Sequence, residues 1–417
     1  MSRKKQGNPW IAIIIVTIGL LVAAGFIFWT VLGANSSKSS ESGESRVPAT
    51  VEEATATATS EERETAAETE DPAEGKAEEQ LDSMSTEEKV AQLFFVTPEE
   101  LTGVDVAVQA GDTTRQSLSD YPVGGIIYFS QNIQSEEQLT DMIQATQSYS
   151  EIPLFIGVDE EGGSLVARIA NSGLFDVPVV DDMATIGASG DSSQAYDVGT
   201  TIGTYLSALG FNVDFAPDSD VLVNPDNTAI GVRSFGPDAS VDAEMVAKVV
   251  EGLQEMGVSA TLKHFPGHGA TTTDSHNGAA IVDRSLDELR STEFLPFSAG
   301  IQAGADFVMV GHLEVPQVVS DGTPASLSAT MITDLLRGEL GFEQIVITDS
   351  LSMEAITDYY TPDEAAVQAI QAGADMLLMP SDFTAAYQGV LDAVNNGTIS
   401  EERLNESVKR ILMVKLG

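Results

Sequence analysis

The chain has 417 residues, with 64 acidic against 20 basic side chains, a formal charge of −44 and no cysteine. That balance argues against nucleic-acid binding and against electrostatic docking on anionic lipid, since both need a basic face. The missing cysteines exclude disulfides, thiolate metal sites, cysteine nucleophiles and lipidation at Cys, and the acidity reads as a soluble, self-repelling surface.

Ser2-Arg3-Lys4-Lys5 precedes an uncharged run from Trp10 to Ala34. At about 1.5 Å per residue this run reaches roughly 36 Å, enough to cross a hydrocarbon core of about 30 Å. The basic flank keeps residues 1–9 on the cytoplasmic side and sends the remainder outside. Leu32-Gly33-Ala34 would suit a signal peptidase, but the apolar run exceeds an ordinary signal-peptide core. An uncleaved single-pass anchor at residues 10–34 is therefore expected, with the bulk of the chain extracytoplasmic, or secreted if the signal is cut. Residues 35–80 are mostly Ser, Thr, Ala and Glu, with too few large apolar side chains to offset chain entropy. They read as a disordered acidic linker. Order is expected from residue 81, with Ser85-Thr86-Glu87-Glu88 as a capping box opening an amphipathic helix through Val90 and Leu93.

Short runs rich in Val, Ile and Phe then recur, bounded by Gly, Pro, Asp or His. They are Leu93–Val96, Gly125–Phe129, Leu154–Asp159, Phe211–Pro217, Ala260–Phe265, Phe307–His312, Gln344–Asp349 and Met376–Pro380. Helix-compatible stretches such as Ser240–Met256 and Ser285–Gln302 separate them. Continuous apolar strands alternating with helices indicate a parallel sheet covered on both faces. Eight of them in residues 81–417 suit a closed (β/α)₈ TIM-like barrel, with an open doubly wound sheet as the rival. The echo of Ala303-Gly304-Ala305-Asp306-Phe307 in Ala372-Gly373-Ala374-Asp375-Met376 supports a repeated unit. The closing helix should be the one containing Arg410-Ile411-Leu412-Met413-Val414-Lys415.

Asp159, Asp214, Lys263, His264, His312 and Asp349 fall at or just past the carboxyl ends of the predicted strands, where a barrel assembles its active site. His268 and His312 read as structural, Glu160 and Glu161 as supporting or solvated carboxylates, and Phe and Met within strands as core. Lys263-His264-Phe265-Pro266-Gly267-His268-Gly269, followed by Asp274-Ser275-His276, is the most specific segment. Pro and Gly forbid a helix there, so the zinc pattern of two histidines one turn apart does not apply. A metal site from His264, His268, Asp274 and His276 remains an alternative. In the other reading, Lys263 and His264 bind a polar ligand while Asp274 orients His276 for proton transfer.

KHFPGHG with its downstream DSH resembles the β-N-acetylglucosaminidase branch of glycoside hydrolase family 3. So do Val158-Asp159-Glu160-Glu161-Gly162-Gly163, Gly124–Phe129, Arg233-Ser234-Phe235 and Ile347-Thr348-Asp349-Ser350-Leu351-Ser352-Met353. The resemblance covers residues 81–417. It implies a (β/α)₈ barrel and retaining hydrolysis of terminal β-linked N-acetylglucosamine, with a glycan partner and no cofactor or metal. By the same resemblance Asp349 is the nucleophile and His276, paired with Asp274, the acid/base. Asp159, Arg233, Lys263 and His264 bind the sugar; Arg168 matches with one residue of extra spacing. Most retaining glycosidases use two carboxyl groups. A histidine in place of one leaves less negative charge near the anomeric carbon, which keeps phosphorolysis in view. A non-catalytic sugar-binding barrel and a metallohydrolase are the other function classes.

Overall fold

A computed structural model describes residues 72–272 and 280–417. Its eight main strands are β1 (Phe94–Val96), β2 (Gly125–Ile127), β3 (Phe155–Val158), β4 (Val213–Asp214), β5 (Ser259–Phe265), β6 (Phe307–Val310), β7 (Ile345–Thr348) and β8 (Leu377–Leu378). They pair in parallel in sequence order, and β8 returns to β1. A parallel bridge between Ile347 and Met376 joins β7 to the segment entering β8. There Thr348 N–H donates to Met376 O at 3.1 Å, and Met376 N–H to Val346 O at 3.0 Å. The ring is thus a parallel barrel, and the open doubly wound alternative is set aside. Regular pairing is shorter than several of the apolar runs, because strand ends bend into loops where polar residues take over.

The barrel is filled by side chains. Phe95 from β1 packs against Phe155 of β3 and Phe215 just after β4, with ring centroids 6.4 and 5.2 Å apart. Two glycines make room for it: a Cβ on Gly125 would lie 2.7 Å from the Phe95 ring, and one on Gly157 2.8 Å away. Any larger residue there would displace the central aromatic from its close-packed place.

Helices cover the outside, several of them opened by a side-chain cap or ended by a glycine. Ser85 caps the helix Thr86–Gln92 in the expected box, its hydroxyl accepting from Glu88 N–H at 3.2 Å while Glu88 Oε2 accepts from Ser85 N–H at 2.7 Å. That helix stops one residue before Leu93. The Ser240–Met256 stretch forms Ala239–Glu255 under an Asp238 cap. Both copies of the Ala-Gly-Ala-Asp echo end a helix on a left-handed glycine, with φ 93° at Gly304 and 116° at Gly373. The terminal helix Glu401–Leu416 closes the amino-terminal end of the barrel, where Lys415 donates to Gln92 Oε1 at 2.8 Å and lies over the Phe155 ring.

Two expectations are corrected. Residues 72–80, read as part of the disordered linker, belong to a helix, Pro72–Ser83. Its composition is poor in apolar residues, but Ala77 is buried and Glu74 and Glu78 hold Lys409 of the terminal helix at 2.7 and 2.8 Å. Tertiary contact supplies what local composition lacks. The stretch Ser285–Gln302 is two helices, Leu286–Ser291 and Phe294–Gln302. A continuous helix would set the Pro296 ring against the carbonyl of Thr292; after a break, proline sits in a first turn that needs no N–H.

The expected anchor at residues 10–34, and the rest of 1–71, lie outside the described residues. No helix among the described residues is long and apolar enough to cross a membrane.

Candidate active site

A pocket of about 430 Å³ opens among the carboxyl ends of the strands. Asp159 follows β3, Lys263 and His264 end β5, Asp349 follows β7, and Arg233 sits in a short helical turn, Gly231–Arg233, after β4. All five line this pocket, as does Arg168. Adjacent residues of a regular strand face opposite ways. The pairing of β5 with β6 shifts between Leu262 and Phe265, and both Lys263 and His264 face the cavity.

The polar groups form one connected cluster. Lys263 Nζ donates to Asp159 Oδ1 at 3.0 Å and lies 2.6 Å from Glu161 Oε1. Arg233 forks onto Glu161, Nε to Oε2 and Nη2 to Oε1, both at 2.7 Å. Its Nη2 also lies 3.4 Å from Asp218 Oδ2. Arg168 stands 3.9 Å from Asp159 with its guanidinium over the Phe129 ring. Burial alone would raise the Glu161 carboxyl, but Arg233 and Lys263 outweigh it and hold it well below the usual carboxylate range. Burial likewise opposes the Lys263 ammonium, yet Glu161 and Asp159 raise it above its ordinary value. Both cations are therefore charged and fixed in position before any ligand arrives.

Asp220 organises the far wall. Its Oδ2 meets His264 Nδ1 at 2.8 Å, and its Oδ1 accepts from the backbone N–H of His264 at 3.3 Å and of His268 at 2.6 Å. Although burial works against it, the charge of His264 lowers the Asp220 carboxyl. An ionised Asp220 assigns the Nδ1 proton to His264, leaving Nε2 for other partners. Asp349 is held from two sides: its N–H donates to Val310 O at 2.9 Å, and its Oδ1 accepts from Ser350 N–H at 2.7 Å.

The two histidines read as structural are both buried and bonded within the protein. His268 Nδ1 pairs with Thr271 Oγ1 at 2.8 Å. His312 bridges Ser326 Oγ at 2.7 Å and Ser350 O at 2.8 Å, pinning the turn beside Asp349. Glu160 is structural as well, accepting from Ile169 and Ala170 N–H and from Tyr205 Oη. Asp214 does not reach the pocket; it is buried beneath it, one oxygen accepting from Glu160 N–H at 2.9 Å. Burial raises its carboxyl well above the ordinary value, and the charge of Glu160 adds to this.

Asp274 and His276 lie outside the described residues, so the expected acid/base pair and half of the four-residue metal alternative are not placed. Among the described residues, Asp218, Asp220 and His264 bring ligand atoms within 4.8 Å of one another. Arg233 already faces Asp218 and His264 already pairs with Asp220, so their charge is compensated from within the protein.

Sequence reasoning missed several pocket residues. Glu161, set aside as supporting or solvated, is buried in the pocket wall between two cations. Asp218 and Asp220, which hold Arg233 and His264 from behind the pocket, follow the predicted strand Phe211–Pro217, and the strand-end rule applied to that run would have found them. Phe129, Met309 and Met379 were assigned to core by default, yet they line the cavity.

Residues 85–414 match the family model described as glycosyl hydrolase family 3 N terminal domain. The chain is 36% identical over 327 residues to β-hexosaminidase A of Pseudoalteromonas piscicida, covering 72% of this chain and 54% of that protein. It thus spans about half the length of that relative. It is 38% identical over 269 residues to a β-hexosaminidase of Stenotrophomonas maltophilia strain K279a, covering 64% of this chain and 78% of the relative. A solved family 3 β-N-acetylglucosaminidase from Paenibacillus sp. str. FPU-7 superposes with a TM-score of 0.75 at 40% identity, over 80% of this chain and 62% of that one.

Proposed function

Because the chain belongs to glycosyl hydrolase family 3, we propose that it is a retaining exo-β-N-acetylglucosaminidase acting on terminal β-linked N-acetylglucosamine of cell-wall or related glycans. The observation that carries this reading is a single small cavity in which Asp349 faces a preorganised cluster of Asp159, Arg168, Arg233, Lys263 and His264. About 430 Å³ is near the lower end for ligand pockets and suits one sugar ring better than a chain. Asp159 and the three cations offer acceptors and donors for sugar hydroxyls and the acetamido carbonyl.

In this reading a carboxylate oxygen of Asp349 forms a bond to the anomeric carbon as the bond to the aglycone oxygen breaks. His276 gives its proton to that departing oxygen. The neutral imidazole, oriented by Asp274, then takes a proton from water; the water oxygen attacks the same carbon and Asp349 leaves as carboxylate. Two displacements retain the β configuration.

Product analysis on nitrophenyl β-N-acetylglucosaminide and β-glucoside, with and without phosphate, tests the proposal. It requires free N-acetylglucosamine, formed first as the β anomer at a rate indifferent to phosphate. A glycosyl phosphate product would make the protein a phosphorylase, and failure to cleave either substrate would end the reading.

The amino-terminal segment supports a second part of the proposal: an uncleaved anchor at residues 10–34 holds the barrel outside the cell on an acidic tether. External protease on intact cells should release an active fragment that begins between residue 35 and the helix starting at Pro72. Activity confined to the cytosol would refute it.

A further inference from the structure

The pocket has two unlike sides. Asp159, Glu161, Arg168, Arg233, Lys263 and His264 come from β3, β5 and the connections after β3 and β4. The opposite arc, from β6 through β8 to β2, carries Asp349, Ser350, Ser352 and Glu354 and, beside them, an apolar surface that includes Met309, Met353 and Met379.

Met379 has an unusual backbone. Among the described residues it is the one non-glycine with positive φ, at 46°. A side chain in that region crowds the backbone. Pro380 follows, and a proline steers the residue before it toward extended conformations. The surroundings enforce the conformation all the same. Met379 N–H donates to Phe95 O at 2.8 Å, and its neighbour Leu378 accepts from Leu351 N–H at 2.9 Å and donates to Thr348 Oγ1 at 3.1 Å. Thr348 and Leu351 flank Asp349, so the strained residue is tied to the strand and turn that present the nucleophile. Glycine would suit this backbone better, yet a methionine stands there with its side chain in the pocket wall. Strain held in place by surrounding bonds beside a reacting group points to a role for the side chain.

We propose that Met379 is a specificity-determining residue whose thioether chain packs on the acetamido methyl at carbon 2 of the sugar. This rests on the function proposed above. Carbon 2 adjoins the carbon that Asp349 attacks, so its substituent lies in the neighbourhood of the β7 and β8 ends. An acetamido group needs polar partners for its N–H and carbonyl and an apolar surface for its methyl. Met309 and Met353 extend that surface, and flexible, polarisable methionine conforms well to a small apolar group. Glucose, with a hydroxyl at carbon 2, would leave this apolar surface uncovered.

The test compares kcat/KM on nitrophenyl β-N-acetylglucosaminide and β-glucoside for wild type, Met379→Gly and Met379→Asn. Glycine removes both strain and side chain; asparagine tolerates the left-handed backbone and keeps bulk but is polar. The preference for the acetamido sugar should fall about tenfold or more in both variants, the scale of a lost apolar contact in a pocket. In Met379→Gly the thermal midpoint should rise at the same time, since the strain is relieved. An unchanged preference in either folded variant, with both substrates slowed alike or neither slowed, would overturn the inference while leaving the proposed function standing. Wild type that cleaves neither substrate would overturn both.

Discussion

Glu161 Oε1 stands 2.6 Å from Lys263 Nζ, and both side chains are almost wholly buried. The same carboxylate takes the fork of Arg233, so one anion compensates two buried cations. Glu161→Gln should therefore be costly: breaking a buried pair on one side typically loses about 3–5 kcal/mol. Urea or thermal unfolding should register that loss. Lys263 should also release its proton more easily, because Glu161 is a principal cause of its raised value. The alkaline limb of the kcat/KM profile should move to lower pH. An unmoved limb would mean that Asp159 alone keeps Lys263 charged.

Asp349→Asn should remove nearly all turnover, by several orders of magnitude, with fold and sugar binding retained, because the covalent step is lost. A mechanism-based fluorosugar should label Asp349 in the wild type. Labelling of Glu161 instead would reassign the nucleophile to another of the carboxylates lining the pocket.

His276→Ala should damage cleavage of natural glycans far more than cleavage of an activated aryl glycoside, whose leaving group needs no proton. Azide, which needs no base, should rescue the second step on the activated substrate and yield a β-glycosyl azide. Asp274→Asn should give a weaker form of the same pattern. Equal losses on good and poor leaving groups, without rescue, would reduce His276 to a binding residue.

Stability should increase on mild acidification. Burial raises the carboxyls of Asp214 and Asp242 well above their ordinary value, and those of Glu160 and Glu293 by less. Between those raised values and the ordinary carboxylate range near 4, the folded state binds more protons than the unfolded one, so stability grows as pH falls. Glu161 and Asp220 are shifted the opposite way. Their contribution is present above the ordinary range and is lost as pH falls through their lowered values. The thermal midpoint should thus peak in mild acid. A midpoint that falls steadily from pH 7 to pH 5 would contradict the upward shift of these carboxyls by burial.

Much of this was legible in the chain itself. Strand positions follow from runs of apolar residues, since a strand covered on both faces admits little else. Asp159, Lys263, His264 and Asp349 stand where those runs end, and in a parallel barrel every such end faces one side. The capping box at Ser85 and the glycine stops at Gly304 and Gly373 were likewise readable, because each depends on residues within a single turn.

Only the tertiary structure decided the rest, and the reason in each case is contact across long stretches of chain. Pro72–Ser83 is a helix docked on the terminal helix, with Ala77 buried and Glu74 and Glu78 paired with Lys409, more than three hundred residues away. Glu161 reads as one of two equivalent carboxylates in Asp159-Glu160-Glu161; Arg233 and Lys263 draw one into the pocket, while the amides of Ile169 and Ala170 take the other. Asp220 matters because two backbone amides and an imidazole converge on it. Met379 looks like a core residue by composition. Its left-handed backbone, and with it its place in the pocket wall, depends on hydrogen bonds from β1 and β7 that no local pattern records.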